Sequence, residues 1–161
     1  AQGTPCLNLL AAKAVCFQLA SEPEFKERQK KTLENAAAFA AGFKKKGYRI
    51  VSGGTDNHLV LVDLRSIGLT GAVAEKTLES VGIIVNRNVI PGDPRKSDIS
   101  SGIRIGSPGI TTRGMGLDEI DQIVSWMDIA MKNSKDGDIL GQISQEVINL
   151  SRKFPVYKEK Y

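Results

Sequence analysis

The chain has 161 residues, 41% of them hydrophobic and 25% charged, the proportions of one globular domain that can bury a core. Its net charge of +4, from 22 basic against 18 acidic side chains, gathers in clusters such as Lys30-Lys31 and Lys44-Lys45-Lys46 with no interleaved aromatics, which argues for solvated helix faces and against nucleic-acid binding. No apolar run approaches the roughly 20 residues that span a bilayer and the start lacks a signal-peptide pattern, so a cytoplasmic protein without membrane contact is expected.

The chain opens at Ala1 inside a Gly-Thr-Pro turn, without a methionine, and reads as cut from something longer. Cys6 to Ala20, rich in Ala and Leu, predicts a helix with Pro5 at its start. Its two cysteines, Cys6 and Cys16, would lie about 15 Å apart along the axis, too far for a disulfide, and both are expected reduced. Ser21-Glu22-Pro23-Glu24 predicts a capping box opening a second helix, with Phe25, Leu33, Ala36, Ala37, Ala40 and Phe43 as its buried stripe and Gly47 as its stop.

Tyr48 to Val51 and His58 to Leu64 read as an antiparallel hairpin around the turn Gly53 to Asn57. Thr70 begins a helix through Val73, Ala74, Leu78 and Val81 that Gly82 ends, and Ile83 to Val85 continues as a strand. Asn86 to Ser100 is a long polar loop, the kind that in a compact domain serves function. Gly102 to Ser107 is the next strand, its alternation sending Ile103 and Ile105 to one face and Arg104 to the other. Ile120, Ile123, Val124, Met127 and Met131 mark one amphipathic helix, and Ile139, Ile143, Val147, Leu150 and Phe154 a last one closed by Pro155. About four or five helices around a small, mainly antiparallel sheet predict a two-layer α+β sandwich with helices on one face.

With one histidine and a cysteine pair ten residues apart, no zinc or iron site is expected. His58, at a strand start among turn residues, reads as a structural histidine and not a general base. Arg104 stands among small residues that let a ligand approach, and its guanidinium matches a carboxylate through two parallel hydrogen bonds. An ion pair with an Asp or Glu of this chain accounts for it equally well. Asn88 carries the donor and acceptor that a heterocycle needs, and it also suits a turn cap. Gly3-Thr4-Pro5 ahead of a helix can offer backbone amides and a hydroxyl to a phosphate.

Several ordered motifs closely resemble signatures of the serine hydroxymethyltransferases: Val51-Ser52-Gly53-Gly54-Thr55-Asp56-Asn57-His58-Leu59-Val60-Leu61-Val62-Asp63-Leu64, then Val85-Asn86-Arg87-Asn88 with Pro91-Gly92-Asp93-Pro94. Ser101 to Pro108, Thr112-Arg113-Gly114, Glu22 to Lys26 and Phe154-Pro155-Val156-Tyr157 continue the likeness over nearly the whole chain. The resemblance implies the C-terminal small domain of an aspartate-aminotransferase-like enzyme, with residues 1–20 as an interdomain helix, 21–161 as the small domain, and an upstream domain for pyridoxal 5'-phosphate absent. The implied reaction converts L-serine and tetrahydrofolate to glycine and 5,10-methylenetetrahydrofolate in a homodimer.

By the same resemblance Arg104 grips the amino acid's carboxylate, Asn88 contacts the pterin ring, and Lys96, Ser97 and Asp98 occupy a loop at the folate site. Gly3 and Thr4 fall where the family has a Gly-Gly pair that contacts the cofactor phosphate from the neighbouring subunit. Thr4 departs from that pair, as do Cys6-Leu7-Asn8 from the residues that follow it and Arg95 to Ile99 from the common Ser-Pro-aromatic loop. The family's cofactor lysine lies in a threonine-rich segment upstream, and no lysine here has that context, so no catalytic residue is assigned and this piece alone is expected to be inactive. Two other readings stay open: a free-standing, non-catalytic interaction module, and the small domain of a related aminotransferase.

Overall fold

In the computed structural model residues 3–156 are described; residues 1–2 and 157–161, and with them Tyr157 of the motif near the end of the chain, lie outside the described residues. Among these, six helices alternate with four short strands: α1 (Leu7–Ser21), α2 (Pro23–Lys45), β1 (Arg49–Ile50), β2 (Leu59–Asp63), α3 (Gly71–Ser80), β3 (Asn86–Asn88), β4 (Gly102–Gly106), α4 (Pro108–Arg113), α5 (Leu117–Lys132) and α6 (Gly137–Lys153). The sheet runs β1-β2-β4-β3 with every pair antiparallel. Alternation sends Ile50, Val60, Val62, Ile103 and Ile105 to one face, all buried. On that face α2 lies against β1 and β2, α3 against β3 and β4, and α5 packs on both helices with α6 outside it. This is the predicted two-layer α+β arrangement.

The helices whose apolar residues recur at helical spacing sit where expected. Thr70 caps α3 by accepting from the Val73 amide at 3.2 Å, and Asp136 caps α6 by accepting from the amides of Asp138 and Ile139, both at 3.1 Å. Gly47, at φ +88°, ends α2. Arg113 closes α6 from a distance, donating to the carbonyls of Ser151 at 3.2 Å and Phe154 at 2.8 Å, which the helix end leaves without intrahelical donors.

Four expectations need correction. Ser21 forms no capping box: α1 runs on to include it, and its hydroxyl donates back to the Gln18 carbonyl at 2.7 Å, which leaves Glu22 between the helices without a side-chain cap bond. The buried stripe of α2 is Thr32, Asn35, Ala36, Phe39, Ala40, Gly42 and Phe43, while Leu33 is 47% exposed and Ala37 is exposed. Thr32 and Asn35 tolerate burial because each is hydrogen-bonded, Asn35 to Thr111 Oγ1 at 2.9 Å and to the Met115 carbonyl at 3.1 Å. The strand expected at Ile83 to Val85 begins instead at Asn86, because Ile83 still donates to the Leu78 carbonyl in the end of α3. The stretch Asn86–Asn88, expected as loop, is thus the edge strand, and the short helix α4 went unanticipated.

β1 is shorter than expected, and a 3-10 turn at Val51–Gly53 follows it. The edge strand β3 is guarded from the helix side. Glu75 of α3 accepts from the Arg87 amide at 3.0 Å and pairs with its guanidinium at 3.4 Å, which occupies the open edge. No described helix is long and apolar enough to cross a membrane. Among the described residues no group of three or more His, Cys, Asp or Glu could hold a metal.

The N-terminus of α3 meets β4 backbone to backbone. A methyl at Gly71 would collide with Ser100 Oγ and stand 2.5 Å from the Gly102 carbonyl oxygen. Gly71→Ala should therefore lower stability by about 2–3 kcal/mol, seen as an earlier urea midpoint with an unchanged slope. Asp63, 2% exposed at the end of β2, accepts from Arg49 Nη1 at 2.9 Å, Arg65 Nη2 at 2.8 Å and the Arg65 amide at 3.0 Å. Burial pushes its pKa up, but the hydrogen bonds from Arg65 and Arg49 outweigh burial and hold it down at about 2. A depressed carboxylate pKa contributes stability that is complete above about pH 4 and lost as pH falls through about 2. Asp63→Asn should cost about 1–2 kcal/mol at neutral pH, and thermal melts should show the gap to the parent closing below about pH 4.

Candidate functional site

The face of the sheet turned away from the helices carries the candidate residues. The register aligns Leu61, Arg104 and Asn86 across β2, β4 and β3, and two residues along it aligns Asp63, Gly102 and Asn88. Arg104 thus stands in mid-sheet with its side chain exposed, on the strand whose neighbours Ile103 and Ile105 are buried beneath it. Its recorded partner is Asn86, whose Oδ1 accepts from Nη2 at 3.4 Å, a long and weak bond. Among the described residues no carboxylate lies within 4.0 Å of it, although the nearby arginines Arg49, Arg65 and Arg87 each pair with one. The ion pair within the chain, which the sequence left open for Arg104, is not found among the described residues. A guanidinium on a rigid strand, facing solvent without a counter-charge, is prepared to take a carboxylate in two hydrogen bonds.

Asn88 is half-buried across from Gly102, and its Nδ2 donates to the Val89 carbonyl at 2.7 Å. One donor of the amide is thereby engaged locally, from a strand position and not from the turn cap that the sequence also allowed. Gly102 is required here: a Cβ on it would lie 2.6 Å from Ile90 Cγ2 and 2.9 Å from the Val62 carbonyl oxygen. Ile90, 2% exposed, fills that space and pins the start of the loop to the sheet. Lys96, Ser97 and Asp98 are exposed at the loop's tip, where the Lys96 carbonyl accepts from the amides of Ile99 at 3.0 Å and Ser100 at 2.8 Å. The loop's far end is tied to α3, whose first amides at Gly71 and Ala72 donate to the carbonyls of Ser100 and Ile99.

Sheet and loop therefore gather Arg104, Asn88 and Lys96–Asp98 around β3, β4 and the segment between them. Gly3 and Thr4 stand apart, exposed ahead of α1. No side chain caps that helix, and a Cβ at Gly3 would meet nothing within 4 Å, so this end has room and free amides that suit a phosphate. His58 has an exposed side chain, and its contribution is its backbone carbonyl, which accepts from the Ser107 amide at 3.0 Å. A groove of about 560 Å³ between the first turns of α2 and the α4–α5 turn, lined by Glu24, Arg28, Asn35 and Thr111, includes none of these residues. The sequence did not single out Asn86 as the partner of Arg104, because only the strand register brings positions 86 and 104 together.

The family model for serine hydroxymethyltransferase matches residues 1–127. A serine hydroxymethyltransferase of Methylococcus capsulatus (strain ATCC 33009 / NCIMB 11132 / Bath) is 47% identical over 156 residues, which are 97% of this chain and 37% of that protein. The chain therefore spans little more than a third of that relative's length, and by both the family match and this identity it belongs to the serine hydroxymethyltransferase family.

Proposed function

We propose that the chain acts within a longer polypeptide as the domain of a hydroxymethyltransferase that holds the substrate's carboxylate and part of its folate. The reaction is transfer of the one-carbon unit of L-serine to tetrahydrofolate, leaving glycine. The observation that carries this reading is Arg104, exposed in mid-sheet with a 3.4 Å contact to Asn86 and no carboxylate partner among the described residues.

Two parallel hydrogen bonds from the Arg104 guanidinium to the amino acid's carboxylate fix two of its atoms and so orient the bonds at its α-carbon. The strand supplies the rigidity, since Ile103 and Ile105 on either side are locked in the core. Asn88 keeps its amide oxygen available for a donor on the pterin ring, and Lys96 to Asp98 reach over from the loop tip. Gly3 and Thr4 would offer amides and a hydroxyl at the start of α1 to the cofactor's phosphate, from one subunit of a homodimer to the other. Pyridoxal phosphate, when bound, supplies the electron sink for bond cleavage at the α-carbon.

α1 supports a role inside a larger assembly. It buries no residue, and Leu7, Leu10, Val15, Phe17 and Leu19 are each more than half exposed. A helix apolar on every side belongs among other protein surfaces.

In the full-length enzyme Arg104→Ala should weaken serine binding by about 100-fold, and Arg104→Lys should restore little of it, because lysine is a point charge without the planar fork. Serine titration by calorimetry measures both, and unchanged affinity overturns the assignment. The 161-residue chain by itself should show no hydroxymethyl transfer, and turnover by it would refute the division of labour proposed here.

A further inference from the structure

The carboxylate of Asp93 collects four donors. Oδ1 accepts from Ser101 Oγ at 2.6 Å and from the Arg95 amide at 3.0 Å, and Oδ2 accepts from the Ser101 amide at 2.8 Å and the Ile90 amide at 3.3 Å. Arg95 closes the ring, its Nη1 donating to Ser101 Oγ at 2.8 Å. Desolvation pushes the Asp93 pKa up, but the bonds from Ser101, Arg95 and Ile90 outweigh it and hold the group at about 2, so it is a carboxylate at neutral pH.

The donors come from opposite ends of one loop. Ile90 follows β3 by two residues and is seated on Gly102, and Ser101, fully buried, immediately precedes β4 and accepts at its carbonyl from the Leu64 amide at 2.9 Å. Asp93 thus joins the exit of β3 to the entrance of β4 at the base of the loop, and the loop's tip at Lys96–Asp98 is carried by that joint. Closing a loop of this length costs conformational entropy, which a shared anion at its neck offsets through charge-assisted bonds. Asn88 lies two residues before Ile90, and Arg104 three residues after Ser101.

We propose that Asp93 is a positioning residue for folate binding, clamping Ile90 to Ser101 and so fixing Asn88 and the Lys96–Asp98 turn at a set place relative to Arg104. The proposal rests on the reading of Asn88 and Lys96–Asp98 as folate contacts given above. Asp93 itself touches no ligand. Its effect passes through the loop backbone, and it should separate folate binding from carboxylate binding, since Arg104 is held by β4 and not by the loop.

The experiment uses the full-length enzyme with Asp93→Asn, Ser101→Ala and Asn88→Ala, measuring dissociation constants for tetrahydrofolate and serine by calorimetry and amide hydrogen exchange in this domain. Asp93→Asn should weaken tetrahydrofolate about tenfold, the scale of one or two lost charge-assisted bonds, and leave serine within about twofold. Ser101→Ala, which removes a single donor, should weaken folate by about threefold. Exchange should quicken at the amides of Ile90, Arg95 and Ser101 while β2 keeps its protection. Unchanged folate affinity in Asp93→Asn overturns the proposal. So does equal weakening of serine and folate with β2 exchanging faster, since that reports general unfolding. If Asn88→Ala weakens folate and Asp93→Asn does not, only the clamp is refuted; if Asn88→Ala leaves folate unchanged, the folate reading falls and the clamp's role with it.

Discussion

The antiparallel pairing of β2 with β4 is the constraint on which both core and site depend. Five residue pairs, from Leu59 with Gly106 to Asp63 with Gly102, fix which side chains face the helices. Val60, Val62, Ile103 and Ile105 then form the floor of the core, each 6% exposed or less. Because side chains alternate with a period of two, a slip of one residue along β4 would drive the Arg104 guanidinium into that floor and lift Ile103 and Ile105 out of it. Burying an unpaired charge is far costlier than any contact it could make there. The apolar alternation that builds the domain therefore also enforces the exposure of its candidate ligand group.

The residues that brace this pairing are placed at its end. Asp63 closes β2 with two arginines, Gly102 opposite it leaves room for Ile90, and the carbonyls of Ser100 and Ile99 just before β4 receive the first amides of α3. Ser100 adopts φ +50°, unusual for a residue with a Cβ, and it is held there by the Lys96 carbonyl and by Gly71 pressed against it. Loop, helix and sheet thus share one small junction, where Gly71, Gly102 and Ser100 pack against one another beside the end of β2.

Amphipathic helices and their caps were legible because hydrophobic spacing and cap chemistry are local. α3, α5 and α6 appear where Thr70, the Ile120–Met131 pattern and the Ile139–Leu150 pattern place them. The stripe of α2 was misread because Thr32 and Asn35 look polar in sequence, and their burial depends on acceptors such as Thr111 and Met115, far along the chain. β3 was misplaced for a related reason: Asn86-Arg87-Asn88 has no apolar alternation, and it is a strand only because β4 offers it a partner. At the site, the orientation of Arg104 was readable from the alternation of its strand, but its lack of a counter-charge among the described residues was not, since that depends on where every carboxylate in the fold comes to rest.

That lack of a counter-charge separates what the fold needs from what the site offers. Among the described residues every buried side-chain polar atom has a hydrogen-bond partner, and the carboxylates of Asp63 and Asp93 are consumed by arginines and amides around them. Removing such a group leaves donors stranded, so its loss is felt first by the structure. Among the described residues Arg104 is exposed and makes one 3.4 Å hydrogen bond and no ion pair, so replacing it should change stability by no more than about 0.5 kcal/mol. A side chain the fold can spare, presented from a central strand, is one whose presence the stability of this domain does not account for.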